Sequence, residues 1–430
     1  MGQILSQPVT EKSSEEGGDA DLKYALSSMQ GWRVRMEDAH AMVLNLNKDD
    51  DSTATDKIAF FGVYDGHGGE KVAIFTGDKM HDVIKETDAF KKKDYSQSLK
   101  DGFLATDVAI LADPILKKDP SGCAATSAII TPTKIVCGNA GDSRTIMSVK
   151  GQAKALSYDH KPTNEGEKTR ICAAGGFVDM GRVNGNLALS RSIGDFEFKD
   201  SPELPPEEQV VTAFPEIVEH TITSEDEFVI LACDGIWDCL TSQQAIDFVR
   251  RGVQQGETLV QICESMIDVC LAPTSGGSGI GCDNMSILIV ALLQGRTLEE
   301  WYEFVKSQIP ESTKFPTPDE LSESMYDVDI KTKFDKFGRK PELDFDSGVD
   351  NEDAPNGRRF PISISDLVAS GSFQSRDGVV YLDNSGASIL AQLGVTQAFG
   401  GEDHDEDDDV EDGMDTEEDQ SKIELVEEGE

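Results

Sequence analysis

The chain has 430 residues, with Lys+Arg 39 against Asp+Glu 81 and a formal net charge of -42. That length can bury a large core without disulfides or a structural metal. The charge argues against binding nucleic acid or adsorbing to anionic lipid, and it suits divalent cations.

In chain order, "MGQILS" at the start fits the N-myristoylation pattern, with Gly2 as the acceptor. A single acyl chain without a basic patch would give only weak membrane contact. Residues 7–21 are polar and acidic, so residues 1–21 read as a flexible arm. From Leu22 the stretches "KYALSSMQ", "AHAMVLNLN" and "KIAFFGVYD" read as strands. Two helices follow. One starts near Glu70, and the other spans residues 95–111 with Leu99, Phe103, Leu104, Val108 and Leu111 on one face.

"CAATSAIIT", "KIVCGNAG" and "SRTIMSV" are again strands, and a helix over residues 165–174 stops at Gly175 and Gly176. The glycine, proline and charge spacing from Phe177 to the proline-rich "SPELPPEE" predicts a long surface loop. "EIVEHTI" and "EFVILACDG" are strands. A second helix pair carries one face of Ala245, Ile246, Phe248, Val249 and Val253, and another of Leu259, Ile262, Cys263, Met266, Ile267 and Cys270. "NMSILIVALL" closes the domain as a buried strand, and "TLEEWYEFVKSQI" adds a helix stopped by Pro310.

The expected division is an arm over 1–21, a catalytic domain over 22–293, a helical extension over 294–310 and a mostly disordered acidic region over 311–430. Within that region an apolar island from Phe360 reads as a binding segment or a transient hairpin. Residues 401–430 alone hold 17 acidic residues and one lysine, a stretch that repels itself and stays solvated. Helix pairs between groups of strands give an α+β layered domain with sheet inside and helices outside.

The cysteines form no C-x-x-C pair and mostly lie in apolar runs, as expected of small core residues in a reduced, intracellular protein. No apolar run is long enough to span a membrane.

Chemistry concentrates where apolar runs meet acids. Asp65 precedes Gly66 after "FFGVY", Asp234 precedes Gly235 after "FVILAC", and Asp283 opens "DNMSILIV". Carboxylates mounted at strand ends are rigidly held, and three at one sheet edge repel unless a cation holds them. Hard oxygen ligands without histidine or thiolate clusters favour Mg2+ or Mn2+. In "MQGWRVRMEDAH", Arg33 and Glu37 would share one side of a strand and Asp38 the other. They form either a surface ion pair or a phosphate-binding arginine beside metal carboxylates.

"RMEDAH", "FFGVYDGHGG", "SGCAATSAII", "CGNAGDSR", "LSYDHKP", "RVNGNLALSRSIGD", "FVILACDGIWD" and "GCDNMSILIV" occur in this order. In this the chain resembles the metal-dependent serine/threonine protein phosphatases of type 2C, and its two ends look like the fungal branch. The resemblance implies a central β-sandwich of two antiparallel sheets flanked by pairs of α-helices. It implies two Mg2+ or Mn2+ ions in a cleft at the sheet edge. Asp65 would bridge them, Gly66 would offer its carbonyl, and Glu37, Asp234 and Asp283 would ligate, with Asp38 close by. Asp142 matches a position that helps hold a weaker third ion. Arg33 would bind the substrate phosphate and His67 would act as general acid, while Asp159 and His160 read as structural.

The implied activity is hydrolysis of phosphoserine and phosphothreonine in proteins. Expected partners are phosphorylated proteins, with MAP kinases, cyclin-dependent kinases and checkpoint kinases as substrates, for a monomer of cytoplasm and nucleus. A scaffold that binds without turnover is disfavoured, because the metal carboxylates and the arginine are all present. A P-loop enzyme is excluded because "DGHGGEK" lacks the required spacing.

Overall fold

Continuous apolar runs become central strands, and their alternate side chains must be buried on both faces. The structure, a computed structural model, describes residues 4–47, 57–275 and 279–327, and the backbone of residues 373–376 and 379–382. Gly2 and residues 401–430 lie outside the described residues.

The strands are β1 (Ile4–Gly18), β2 (Leu22–Arg33), β3 (Ala39–Val43), β4 (Ala59–His67), β5 (Gly122–Ile130), β6 (Lys134–Ala140), β7 (Arg144–Val149) and β8 (Gln152–Ala155). They continue as β9 (Val178–Asp179), β10 (Arg182–Val183), β11 (Ile193–Gly194), β12 (Glu216–Thr221), β13 (Asp226–Ala232) and β14 (Met285–Leu292). One antiparallel sheet runs β1-β2-β14-β13-β7-β8, and the other runs β12-β6-β5-β4-β3 with β11 beside β5. Leu26, Phe61, Val63, Ile135, Met147, Val229, Leu231, Leu288 and Val290 pack between the sheets.

Helices α1 (Lys71–Glu86), α2 (Asp88–Lys91) and α3 (Tyr95–Ala112) cover the second sheet through Met80, Ile84, Leu99 and Phe103. After α4 (Glu165–Ala173) and the short α5 (Asp234–Trp237), α6 (Ser242–Gln255) and α7 (Leu259–Cys270) cover the first sheet. The expected sandwich with flanking helix pairs is therefore present. The expected faces of α6 and α7 are buried residue for residue. Both helices begin with a threonine capping box, at Thr241 and Thr258.

Several expectations need correction. Residues 4–18 are not a loose arm. They form edge strand β1, registered against β2 from Lys12↔Met29 to Gly18↔Lys23. The strand reads as polar because backbone hydrogen bonds hold it, and its side chains reach α7 through polar contacts. Lys12 Nζ lies 2.6 Å from Asp268, and Ser14 Oγ donates to Glu264 at 2.7 Å.

On α3 the buried face is Leu99, Phe103, Thr106, Asp107 and Ile110, whereas Val108 and Leu111 are exposed. Asp107 turns inward because it accepts the Gly194 N–H and pairs with Lys199. The stretch expected to be a surface loop has its own small core of Ile171, Val183, Phe198, Val210 and Val211. It is tied to the body through buried Glu167, which receives Arg191 and Arg170. Burial opposes the Glu167 charge, but the two arginines outweigh it and hold the carboxyl down at about 2.

Of the cysteines, Cys172 is exposed and the others are buried, and none is paired. Among the described residues no helix is long and apolar enough to cross a membrane.

Beyond β14, α8 (Leu298–Ser307) joins the core through Trp301, which stacks edge-on to Phe228 at 6.4 Å and donates to the Glu227 carbonyl at 2.9 Å. Order also passes the expected boundary at Pro310. Helix α9 (Pro318–Ser322) starts from a Thr317 capping box, and Leu321 is buried in the α6–α7 core. Tyr326 then donates to the Cys270 carbonyl. Trp301→Ala should cost about 3–5 kcal/mol, read as a lower urea midpoint at unchanged slope. By itself, the region from Leu343 onward contains the antiparallel pair β15 (Phe373–Arg376) and β16 (Val379–Leu382), inside the apolar island.

Candidate active site

Antiparallel topology delivers several strand ends to one edge of the sandwich. Arg33 ends β2, Asp142 follows β6, Asp234 follows β13 and Asp283 precedes β14. Asp65 does not end its strand as expected. It pairs with Ala124, and β4 continues through Gly66 to His67 opposite Gly122. A rigid ladder thus carries three consecutive site residues.

These residues line a cleft of about 430 Å³ with Arg33, Asp65, Gly66, His67, Asp142, Asp234 and Asp283 on its floor and walls. Arg182, Asn186 and Leu187 of the β9–β10 region complete the rim.

The electrostatics are dominated by like charges. Burial, then the charges of Asp234, Asp38, Asp283 and Asp142, push Asp65 well above the usual carboxylate range. Asp234 is raised by burial and by Asp142, Asp283 and Asp238. Burial and the Asp283 charge hold Asp38 at about 7 against the hydrogen bond from Ser286 Oγ, 2.7 Å away. Asp38 Oδ1 is buried without a hydrogen-bond partner.

Asp38, Asp65 and Cys233 offer ligand atoms within 4.8 Å of one another. Burial first, then the surrounding aspartates, keep the Cys233 thiol well up its range and neutral, so the working donors are oxygens. A cluster of carboxylates with an orphan oxygen fits divalent hard cations. Gly66 lets the Glu37 segment approach the cluster, because a Cβ there would lie 2.2 Å from the Glu37 carbonyl oxygen.

Glu37 and Asp38 sit differently from the strand-alternation expectation. Beyond Arg33 the chain leaves the strand, so alternation no longer applies. The Glu37 N–H donates to Asn284 Oδ1 at 2.9 Å, and its charge is felt at His67. Asp38 comes up against Asp65, and the Glu37 carbonyl lies against Gly66. Arg33 Nη2 donates to Asp283 Oδ2. A guanidinium has five N–H donors, so donors remain for a phosphate. Asp142 accepts a hydrogen bond from Lys161 Nζ.

One partner had no local signal. His67 Nε2 lies 2.7 Å from Asp195 Oδ2, a residue 128 positions away. Burial disfavours the charged ring, but the Asp195 charge and hydrogen bond, helped by Asp142 and Glu37, raise His67 above the ordinary imidazole range. Asp195 has a left-handed backbone at φ 52°, and Ser192 Oγ donates to the same Oδ2. The close approach needs Gly122, where a Cβ would meet Asp195 Oδ2 at 2.3 Å. The only sequence hint was the Gly194-Asp195 turn in "SRSIGD". Asp159 and His160 do have structural roles. Asp159 receives Arg144 through two N–H donors at 2.8 Å, and burial, with Arg191, holds His160 neutral and down at about 4.

Comparison with known proteins bears on this geometry. The Protein phosphatase 2C family pattern matches residues 22–279. Protein phosphatase 2C homolog 2 of Aspergillus flavus is 58% identical over 306 residues, covering 70% of this chain and 70% of that protein. Its counterpart in Hypocrea jecorina is 52% identical over 363 residues, covering 80% and 83%. The Saccharomyces cerevisiae counterpart is 47% identical over 396 residues, covering 88% and 83%. Among solved structures, a phosphatase from a pathogenic strain of Toxoplasma gondii superposes with TM-score 0.55 at 23% identity, covering 66% of this chain and 96% of that one. That likeness concerns the fold alone.

Proposed function

The chain belongs to the protein phosphatase 2C family of metal-dependent protein serine/threonine phosphatases, and on that premise we propose that its carboxylate cleft holds two Mg2+ or Mn2+ ions and hydrolyses phosphoserine and phosphothreonine directly with water. The observation that supports this most is the convergence of Asp38, Asp65, Asp234 and Asp283 with Arg33 and His67 at one sandwich edge.

Glu37, Asp65, Asp234 and Asp283 would hold the ions, with Asp38 close by and the Gly66 carbonyl offered to one of them. When bound, the ions supply a water of lowered pKa and charge neutralisation for the phosphate. Arg33 lies on the same wall, anchored by Asp283, and can turn its remaining donors to the equatorial phosphate oxygens. His67 is oriented through Nε2 by Asp195, and its raised pKa favours the protonated ring, so it can give a proton to the departing serine or threonine oxygen. The cysteines take no part. Cys233, whose sulfur lies among the carboxylates of Asp38 and Asp65, is held as a neutral thiol.

The substrates proposed are stress-activated MAP kinases, cyclin-dependent kinases and checkpoint kinases, with the protein acting as a monomer in cytoplasm and nucleus. Resemblance to the fungal branch supports the substrates, and acylation of Gly2 would add only weak membrane contact. The direct test is phosphate release from a phosphothreonine peptide with Mn2+, with EDTA, and with Asp234→Asn. Release should require the metal and fall at least about a hundredfold in the variant. Tight phosphopeptide binding without release would instead indicate a scaffold.

A further inference from the structure

Asp142 is 6% exposed, and its Oδ2 accepts from Lys161 Nζ. The Lys161 charge also faces Asp234 and Asp238. Asp238, at the C-terminal end of α5, faces Lys161, Asp142, Asp283 and Asp159. Arg144 also lends its charge to Asp142 and Asp238, but its hydrogen bonds go to Asp159 through Nε and Nη2 at 2.8 Å each and to Ser242 Oγ through Nη1. Among the described side chains it is the Lys161 ammonium that sits directly on the Asp142 carboxylate and also faces Asp234 and Asp238.

We propose that Lys161 is an internal stand-in cation: its ammonium occupies the place on Asp142 where a third, weaker divalent ion would bind, and that ion enters only by displacing it. The proposal rests on the two-ion reading above and adds an exchange to it. A divalent ion arriving at Asp142 must release the Lys161 ammonium to solvent, and the partly exposed lysine stem allows that swing. Third-ion affinity is then set by a residue of this chain as well as by the carboxylates. Loss of the third ion leaves Asp142 paired, so it costs the fold little.

The test counts bound Mn2+ by electron paramagnetic resonance and calorimetric titration on the full chain. It compares wild type, Lys161→Met, Lys161→Gln, Lys161→Arg and the remote control Lys134→Met, which removes a lysine paired to Glu219. Lys161→Met and Lys161→Gln should tighten the weakest resolved Mn2+ class about tenfold and leave the tight class unmoved. Lys161→Arg and Lys134→Met should not tighten it, and adding Asp142→Asn to Lys161→Met should erase the gain. An unchanged weak class in both neutral variants, an equal gain in Lys134→Met, or a gain that survives Asp142→Asn overturns the proposal. Absence of the tight class from wild type overturns the two-ion reading instead.

Discussion

Metal-free Asp65→Asn protein should melt at a higher temperature than metal-free wild type, yet release phosphate from a phosphothreonine peptide at least about a thousandfold more slowly with Mn2+ present. The two effects share one cause. Asp65 faces Asp38, Asp142, Asp234 and Asp283 in a half-buried cleft, so its charge is costly until a cation arrives. Asparagine removes that repulsion and also removes a central ligand. In wild type, Mn2+ at about 100-fold over its dissociation constant should add about 2.7 kcal/mol, seen as a rise of roughly 5 °C or more, and Asp65→Asn should lose most of it.

The pH dependence has a definite sign. The folded-state pKa values of Asp65, Asp234 and Asp38 are raised, so between the unfolded carboxylate value and those raised values the folded protein binds more protons than the unfolded chain. Stability of metal-free protein therefore falls as pH rises from about 4 toward neutrality. Melting curves with EDTA across that range check the slope. A flat or rising profile would contradict the repulsive cluster.

The second large effect concerns the proton donor. His67→Gln should lower kcat on phosphothreonine peptide by about 10²–10⁴, and much less on p-nitrophenyl phosphate, whose leaving group departs without a proton. A general acid must be protonated, so kcat falls on the alkaline side as His67 loses its proton. Asp195 raises His67 against the opposing effect of burial. Asp195→Asn should therefore move that alkaline limb to lower pH. Bound cations act on parent and variant alike, so the comparison isolates Asp195. The linked stability runs the same way. The His67–Asp195 contribution is full below the unfolded imidazole value of about 6.5 and is lost as pH rises through the raised folded value. An unmoved limb in Asp195→Asn would remove Asp195 from the proton-transfer account.

Which features the sequence reveals follows from where each residue's partners lie. "FFGVYDG", "FVILACDG" and "DNMSILIV" announce themselves because a central strand needs an unbroken apolar run, and an acid ending such a run is conspicuous. The faces of α6 and α7 are legible for the same reason: their partner is a uniformly apolar sheet. Strand β1 is not, since it is held by backbone pairing and by polar contacts to Asp268 and Glu264. On α3, periodicity favours Val108, but Asp107 faces inward because Gly194 and Lys199, distant in the chain, need its carboxylate. Asp195 on His67, Lys161 on Asp142 and Ser286 on Asp38 are likewise meetings that only the folded chain creates. Ser192 carries no signal of its own in the sequence, yet its hydroxyl sits on the carboxylate that holds His67.

Anomalous X-ray scattering from crystals grown with Mn2+ tests the central claim most directly. Strong manganese peaks should fall among the carboxylates of Glu37, Asp65, Asp234 and Asp283 and disappear from Asp65→Asn crystals. Manganese found elsewhere, with that cluster empty in crystals of active protein, would contradict it.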